Sequence, residues 1–290
     1  MNQQEKTTGD LLRRVVPPIA LAWVFLPLAF VIPWLNSTSS PYFDLTGWIA
    51  QVASILSVIG GSKGTPFVLI FLILVIVSRP GRSLKQRGIE ALIIVLLGGG
   101  LLGLGSLFNE KGIKETFREP RPHVKLLART PTDTPPSASI LTTTADDFYK
   151  DDGEVREANL EEISKLDSLA TLGDQYCFEA YGVEDLFLSE SVCHQWISAT
   201  SGFSFPSGHS LSAMFVATFF LGMALYLLSG WRLALIQYLV VPYGVLVCYS
   251  RTVLRVHSPL DISVGGLIGI LIGLLALVLV AKALKRFGGE

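Results

Sequence analysis

A histidine four residues before an aspartate, a second histidine directly behind a serine and a glycine, and a lysine seven residues before an arginine are the side chains best suited to chemistry. They lie in three strings: Lys114 to Pro122 (K-E-T-F-R-E-P-R-P), Phe205 to His209 (F-P-S-G-H) and Ser250 to Asp261 (S-R-T-V-L-R-V-H-S-P-L-D). Imidazoles can attack an electrophile or move a proton, and guanidinium and ammonium groups hold phosphoryl oxygens and stabilise charge in transit. Each string borders a long apolar segment. The combination points to a phosphate ester handled at a membrane surface.

The individual residues carry competing readings. Ser207 and Gly208 stand where a helix begins, so their region offers unpartnered amides and the positive end of a helix dipole to an anion; Ser207 could equally be an ordinary N-cap, and the two roles are compatible. His209 follows at once and could reach the same anion with a proton. Asp261 could accept the Nδ1 proton of His257 and leave Nε2 free as a nucleophile, or serve as the far member of a capping box with Ser258 ahead of Pro259 at the first helical position. Lys114, Arg121 and Arg251 each adjoin one of these features and suit a phosphoryl group, whereas Lys111 and Arg118 read as interfacial side chains that snorkel to headgroups. His123 and His194 belong to no such group and read as ordinary surface residues.

Composition sets the frame that positions these strings. Half of the residues are hydrophobic and 16% are charged, and mean hydropathy is positive, a balance that leaves a soluble chain of this length with uncovered apolar surface. A net charge of -1 argues against nucleic acid as a partner, which demands a strong basic excess. The lipid bilayer and a membrane lipid phosphate are the partners expected. Nothing in the sequence sets an oligomeric state, and no histidine and carboxylate spacing suggests a metal site.

The fold expected is all-α, a single polytopic domain over residues 1–290 with six transmembrane helices. Apolar segments run at about residues 15 to 34, 60 to 78, 89 to 108, 208 to 229, 233 to 250 and 260 to 281, against roughly 20 residues needed for a span. Gly60, Gly61, Lys63, Gly64 and Pro66 break the second, so residues 47 to 59 read as an interfacial helix and the stretch ending at Val77 as the span. The first segment is too long for a signal peptide and is expected to stay as an uncleaved helix. Lysine and arginine concentrate before the first span, between the second and third (Arg79, Arg82, Lys85, Arg87), at Arg232 and after the last, which places those connections and both termini in the cytoplasm. The segment from about 109 to 204, rich in acidic residues, then forms a partly helical insert on the other side. All three strings emerge on that outer face, because two crossings separate the second from the third.

Lys114 with Arg121-Pro122, then Pro206-Ser207-Gly208-His209, then Ser250-Arg251 with His257 and Asp261 resemble, at every spacing, the three signature motifs of the type-2 phosphatidic acid phosphatase superfamily. That resemblance implies a lipid phosphatase that needs no metal or other cofactor and works through a phosphohistidine. By it, His257 is the nucleophile, Asp261 its orienting carboxylate and His209 the acid and base, while Lys114, Arg121, Ser207, Gly208 and Arg251 hold the phosphoryl oxygens. It also implies a bacterial inner membrane with the site facing the periplasm, and substrates such as phosphatidylglycerophosphate, undecaprenyl diphosphate and phosphatidic or lysophosphatidic acid. A lipid phosphotransferase, a non-catalytic lipid-phosphate binder or transporter and a haloperoxidase-like oxyanion site are the alternatives; the six spans weigh against the last. Cys177 and Cys193 share the insert, where a disulfide or two separate thiols are both open, and Cys248 reads as a packing residue in the fifth span.

Overall fold

The computed structural model describes residues 7–32, 47–119, 121–123, 192, 195–196 and 202–287. Most of the expected insert lies outside the described residues, as do His194, Cys177 and Cys193. What is described consists of helices and their connections: α1 (Thr8–Phe25), α2 (Trp48–Gly60), α3 (Thr65–Val77), α4 (Leu84–Phe117), α5 (Gly208–Leu227), α6 (Gly230–Val253) and α7 (Pro259–Phe287). Five of them, α1 and α4 to α7, are long and apolar enough to cross a membrane, and the bent pair of α2 and α3 makes a sixth span if counted as one. The chain is an all-α polytopic membrane protein.

The centre of the bundle is α5. Its sequence is apolar all round, as a helix surrounded by other helices requires, and it is buried from Ser210 to Leu225 except at Ser212. Gly265, Gly269 and Gly273 form one stripe of α7, four residues apart. A Cβ at Gly265 would meet the Ser207 backbone, one at Gly269 the Leu211 carbonyl, and one at Gly273 would stand 3.0 Å from Thr218 Cβ. Small residues at this spacing let helix backbones approach closely inside a bilayer. The approach runs to the N-terminal ends of both helices, where the Ser207 amide donates to the Asp261 carbonyl at 3.0 Å. Sequence reading by apolar runs did not register this stripe, although glycine spacing could have revealed it.

Two expected boundaries shift. The break at Gly60 to Pro66 is present, and α2 and α3 meet at 68°. Yet the helix on its far side starts only at Thr65 and has 13 residues, or about 20 Å against the roughly 30 Å hydrocarbon thickness. It is shorter than the span expected from residue 60, because Pro66 suits only a first helical turn and the glycines before it cannot sustain one. The third span, expected to end near residue 108, continues as helix to Phe117. Two π turns, Ile94–Gly99 and Asn109–Ile113, keep it continuous through its glycine-rich middle and past Gly112. It ends where Arg118 turns left-handed at φ 50, two residues before Pro120.

At the opposite end of the bundle, α3 and α4 are tied together by Arg79, whose guanidinium donates to both carboxylate oxygens of buried Glu90 at 2.8 and 2.7 Å. Ser83 and Gln86 close a capping box on the first turn of α4. Arg14, Arg82 and Arg87 belong to the same end as the α5–α6 connection, consistent with one basic face.

Candidate active site

Three helix ends and one strap of chain converge on His257. The C-terminal end of α6 supplies Arg251, whose carbonyl accepts from the amides of Val256 at 3.1 Å and His257 at 3.2 Å. Arg255, at φ 57, makes the reversal that folds the chain back on that carbonyl. His257 is thereby fixed next to Arg251, and Pro259 then opens α7.

The His257 ring is buried and held on both edges. Arg121 Nη1 lies 3.2 Å from His257 Nε2. A guanidinium has donors only, so this contact makes Nε2 the lone-pair acceptor and puts the ring proton on Nδ1. On that other edge, Nδ1 is 3.4 Å from Ser204 Oγ and 3.5 Å from Asp261 Oδ2, while Ser204 Oγ donates to Asp261 Oδ2. The same Oδ2 accepts from the Ser258 amide at 2.8 Å, and Ser258 Oγ accepts from the Asp261 amide at 3.2 Å. Asp261 thus completes the expected capping box with Ser258, and it stands beside the His257 ring with Ser204 as the link between them. Burial first, then the charges of Arg121, Arg251 and Lys114, push the His257 imidazole well below its ordinary range and keep it neutral at pH 7.

The cations surround this ring. Arg121 is buried and anchored through Nε to the Gly202 carbonyl at 3.0 Å. Buried Arg251 donates through Nη1 to Ser57 Oγ, which in turn donates to Gln195 Oε1 at 2.9 Å. Lys114, on the last turns of α4, is also buried and within electrostatic reach of Arg121 and Arg251. At the start of α5, Ser207 is an N-cap, its Oγ accepting from the Ser210 amide at 3.3 Å, and Gly208 has no Cβ to crowd Glu110 Oε1, which one would approach to 3.2 Å. His209 lies within electrostatic reach of His257, Arg251, Arg121 and Lys114. A Cβ on Gly61, in the α2–α3 break, would stand 3.0 Å from His209 Nε2, so only glycine lets that turn close over the second imidazole.

All eight expected site residues are therefore brought together at one end of the bundle. His123 is not the surface residue expected. It is fully buried, its amide donates to the Arg255 carbonyl at 2.9 Å, and its ring lies against Trp196 with centroids 5.2 Å apart. It pins the strap that carries Arg121 beneath the α6–α7 turn, and burial, with Arg121 and Arg251 adding to it, drives its imidazole well below the ordinary range. Lys111 and Arg118 stay exposed, as expected of interfacial side chains, and Cys248 is a buried packing residue in α6.

Sequence reasoning missed Ser204, Ser57, Asn109 and Glu110. Ser204 lies two residues before the proline of the second string and carried no separate signal. Asn109 donates to the Pro206 carbonyl at 3.4 Å, and Glu110 pairs with Lys114 at 2.7 Å; a carboxylate four residues before that lysine in a continuous helix was a readable cue. Among the described residues no group of three or more His, Cys, Asp or Glu is placed to hold a metal ion.

No curated protein matches the chain. The family model of the PAP2 superfamily matches residues 89–285, more than half of the sequence, from α4 to α7 with all three strings inside. The match includes every expected site residue but not Ser57 or Gly61 of α2 and its break, and the chain belongs to the PAP2 superfamily, as a membrane-spanning phosphatase.

Proposed function

We propose that the protein hydrolyses phosphate or diphosphate monoesters of membrane lipids through a phosphohistidine on His257, at the periplasmic face of a bacterial inner membrane with both termini cytoplasmic. The single observation that carries this reading is the donor-only guanidinium of Arg121 at 3.2 Å from His257 Nε2. It supports the tautomer in which Nε2 carries no proton, so that its lone pair can pass from Arg121 to phosphorus as that guanidinium takes up a phosphoryl oxygen, and it puts a positive charge beside the point of attack.

In the first step Nε2 forms a bond to phosphorus while the ester P–O bond breaks, and His209 gives a proton to the departing oxygen. Asp261 and Ser204 hold the Nδ1 proton as the ring becomes cationic. Lys114, Arg121 and Arg251, with the Gly208 amide and Ser207, take the equatorial oxygens, where charge is spread as the phosphoryl group moves. A water then attacks phosphorus, His209 accepts its proton, and the N–P bond breaks to release phosphate. The tail of the lipid can remain among the helices throughout. The Glu119-Pro120-Arg121-Pro122 run and the Ser201-Gly202-Phe203 lead favour a protein like bacterial phosphatidylglycerophosphatase B, with phosphatidylglycerophosphate and undecaprenyl diphosphate as first substrates to try.

The test is phosphate release from those two lipids and from phosphatidic acid by purified protein in detergent with excess EDTA, comparing wild type with His257→Ala. Release that survives EDTA and vanishes in the variant is expected, as is an acid-labile, base-stable label on wild type quenched during turnover of a phosphorus-labelled substrate. Undiminished release by His257→Ala overturns the nucleophile assignment. Transfer of the labelled group to a second lipid instead of water would make the protein a phosphotransferase.

A further inference from the structure

Glu110 has no part in the chemistry above, yet it stands in the pocket. Its Oε1 is 2.7 Å from Lys114 Nζ, and the same side-chain oxygen would be 3.2 Å from a Cβ on Gly208. One carboxylate oxygen therefore occupies the wedge between a buried ammonium group and the first turn of α5. That turn presents unpartnered amides and the positive end of a helix dipole, the surroundings an anion seeks. The π turn at Asn109–Ile113 holds the two residues that reach the start of α5, Asn109 through the Pro206 carbonyl and Glu110 through Gly208.

The two members of the pair differ in freedom. The Lys114 side chain is 6% exposed and the Glu110 side chain 46%. The lysine is fixed by its surroundings, whereas the carboxylate has open space into which it can turn. The arrangement is that of a resident anion on a hinge.

We propose that Glu110 is a specificity-determining residue: it fills the phosphoryl cradle of the resting enzyme, keeps out the monoanionic phosphodiester headgroups of ordinary membrane lipids, and yields to the dianion of a phosphate monoester. The inference rests on the phosphatase reading of the site. Any anion that enters must part Glu110 from Lys114 and then sit beside the displaced charge. A phosphodiester brings one negative charge and replaces another, so it gains little. A monoester dianion brings two charges and three free oxygens, enough to engage Lys114, Arg121 and Arg251 together. Without such a filter, a cradle of three cations in a bilayer is open to the phosphodiesters that surround it in large excess.

Glu110→Gln keeps the shape and an acceptor for Lys114 while removing the charge. The first readout is independent of turnover: protection of the purified protein from thermal unfolding by orthophosphate and by diethyl phosphate, a soluble diester. Wild type should be protected by orthophosphate and not by the diester, while Glu110→Gln should be protected by both, with its diester affinity raised at least roughly tenfold. Glu110→Asp, which keeps the charge, should discriminate like wild type. The second readout is hydrolysis of dioleoyl phosphatidic acid in dodecyl maltoside micelles with dioleoyl phosphatidylglycerol as competitor, where only the Gln variant should be inhibited beyond surface dilution. Equal diester protection of wild type and Glu110→Gln overturns the inference, as does a Gln variant that has lost affinity for orthophosphate and diester alike, which would make Glu110 only a brace for Lys114. Absence of hydrolysis by wild type with diester discrimination intact would instead count against the phosphatase reading.

Discussion

Ser204→Ala removes one oxygen from the centre of the pocket and isolates a single link in the proposed mechanism. The Ser204 hydroxyl is buried, donates to Asp261 Oδ2 and lies 3.4 Å from His257 Nδ1. Asp261 Oδ2 keeps the Ser258 amide at 2.8 Å, so the carboxylate is not left bare, but its direct distance to His257 is 3.5 Å, at the limit of a hydrogen bond. A hydrogen bond to a charged group contributes about 1.5 to 3 kcal/mol, and here it is needed most when the ring turns cationic. The expected loss is therefore about 10- to 150-fold in kcat, with KM little changed, since the proposed phosphoryl cradle does not include Ser204. Steady-state hydrolysis in detergent micelles measures this, with the unfolding temperature recorded alongside. If Ser204 acts through Asp261, the double variant Ser204→Ala/Asp261→Asn should lose no more than Asp261→Asn alone. A kcat within twofold of wild type, or full additivity in the double variant, refutes the linkage.

Other perturbations read other parts of the structure. Gly61→Ala puts a Cβ 3.0 Å from His209 Nε2 and 3.1 Å from the Ser57 carbonyl, so activity should fall roughly tenfold or more through the displaced imidazole, with the bundle's unfolding temperature almost unchanged. Gly269→Ala drives a methyl into the Leu211 carbonyl and should cost about 1 to 3 kcal/mol of stability, seen as a lower unfolding temperature in detergent; a wild-type value would dismiss the close α5–α7 approach. Glu90→Gln leaves Arg79 buried without its countercharge and should destabilise by about 3 kcal/mol or more, while the pair replacement Arg79→Met/Glu90→Met recovers most of the loss. His123 is held neutral in the fold, so below the unfolded value near 6.5 the unfolded chain takes up a proton that the native protein refuses. Stability present above that pH is lost as pH falls, and wild type should lose about 1.4 kcal/mol per pH unit more than His123→Phe over that acid range; parallel curves would show that the imidazole is not refusing a proton.

The pocket was legible where chemistry fixes residue type and spacing together. His257 and Asp261 are one helical turn and a proline apart, so the third string encodes its own geometry, and Ser207-Gly208-His209 announces a helix start whatever surrounds it. The partners supplied by other elements were not legible. Ser57 reaches Arg251 only because α2 folds back from the α2–α3 break, and Ser204 reaches Asp261 only because α5 and α7 approach to glycine distance. His123 misled for a related reason: a histidine beside a proline-rich string looks solvated until Trp196 and the α6–α7 turn cover it. Among the spans, apolar length located each helix, but it could not reveal that α4 survives past Asn109, since π turns leave no hydropathy trace.

Thirteen residues of α3 separate the turn that touches His209 from Arg79 at the opposite end. That is about 20 Å of helix, roughly 10 Å less than the hydrocarbon of an average bilayer, and any tilt shortens it further. A phosphate group at His209 is therefore expected below the plane of its neighbours, or the membrane must thin where α2 and α3 meet it, at a cost of a fraction of a kcal/mol for each ångström of mismatch. Bilayer thickness then becomes a rate variable. Turnover in nanodiscs should decline as acyl chains lengthen, and a rate indifferent to chain length would mean that the lipid climbs to the site by another route.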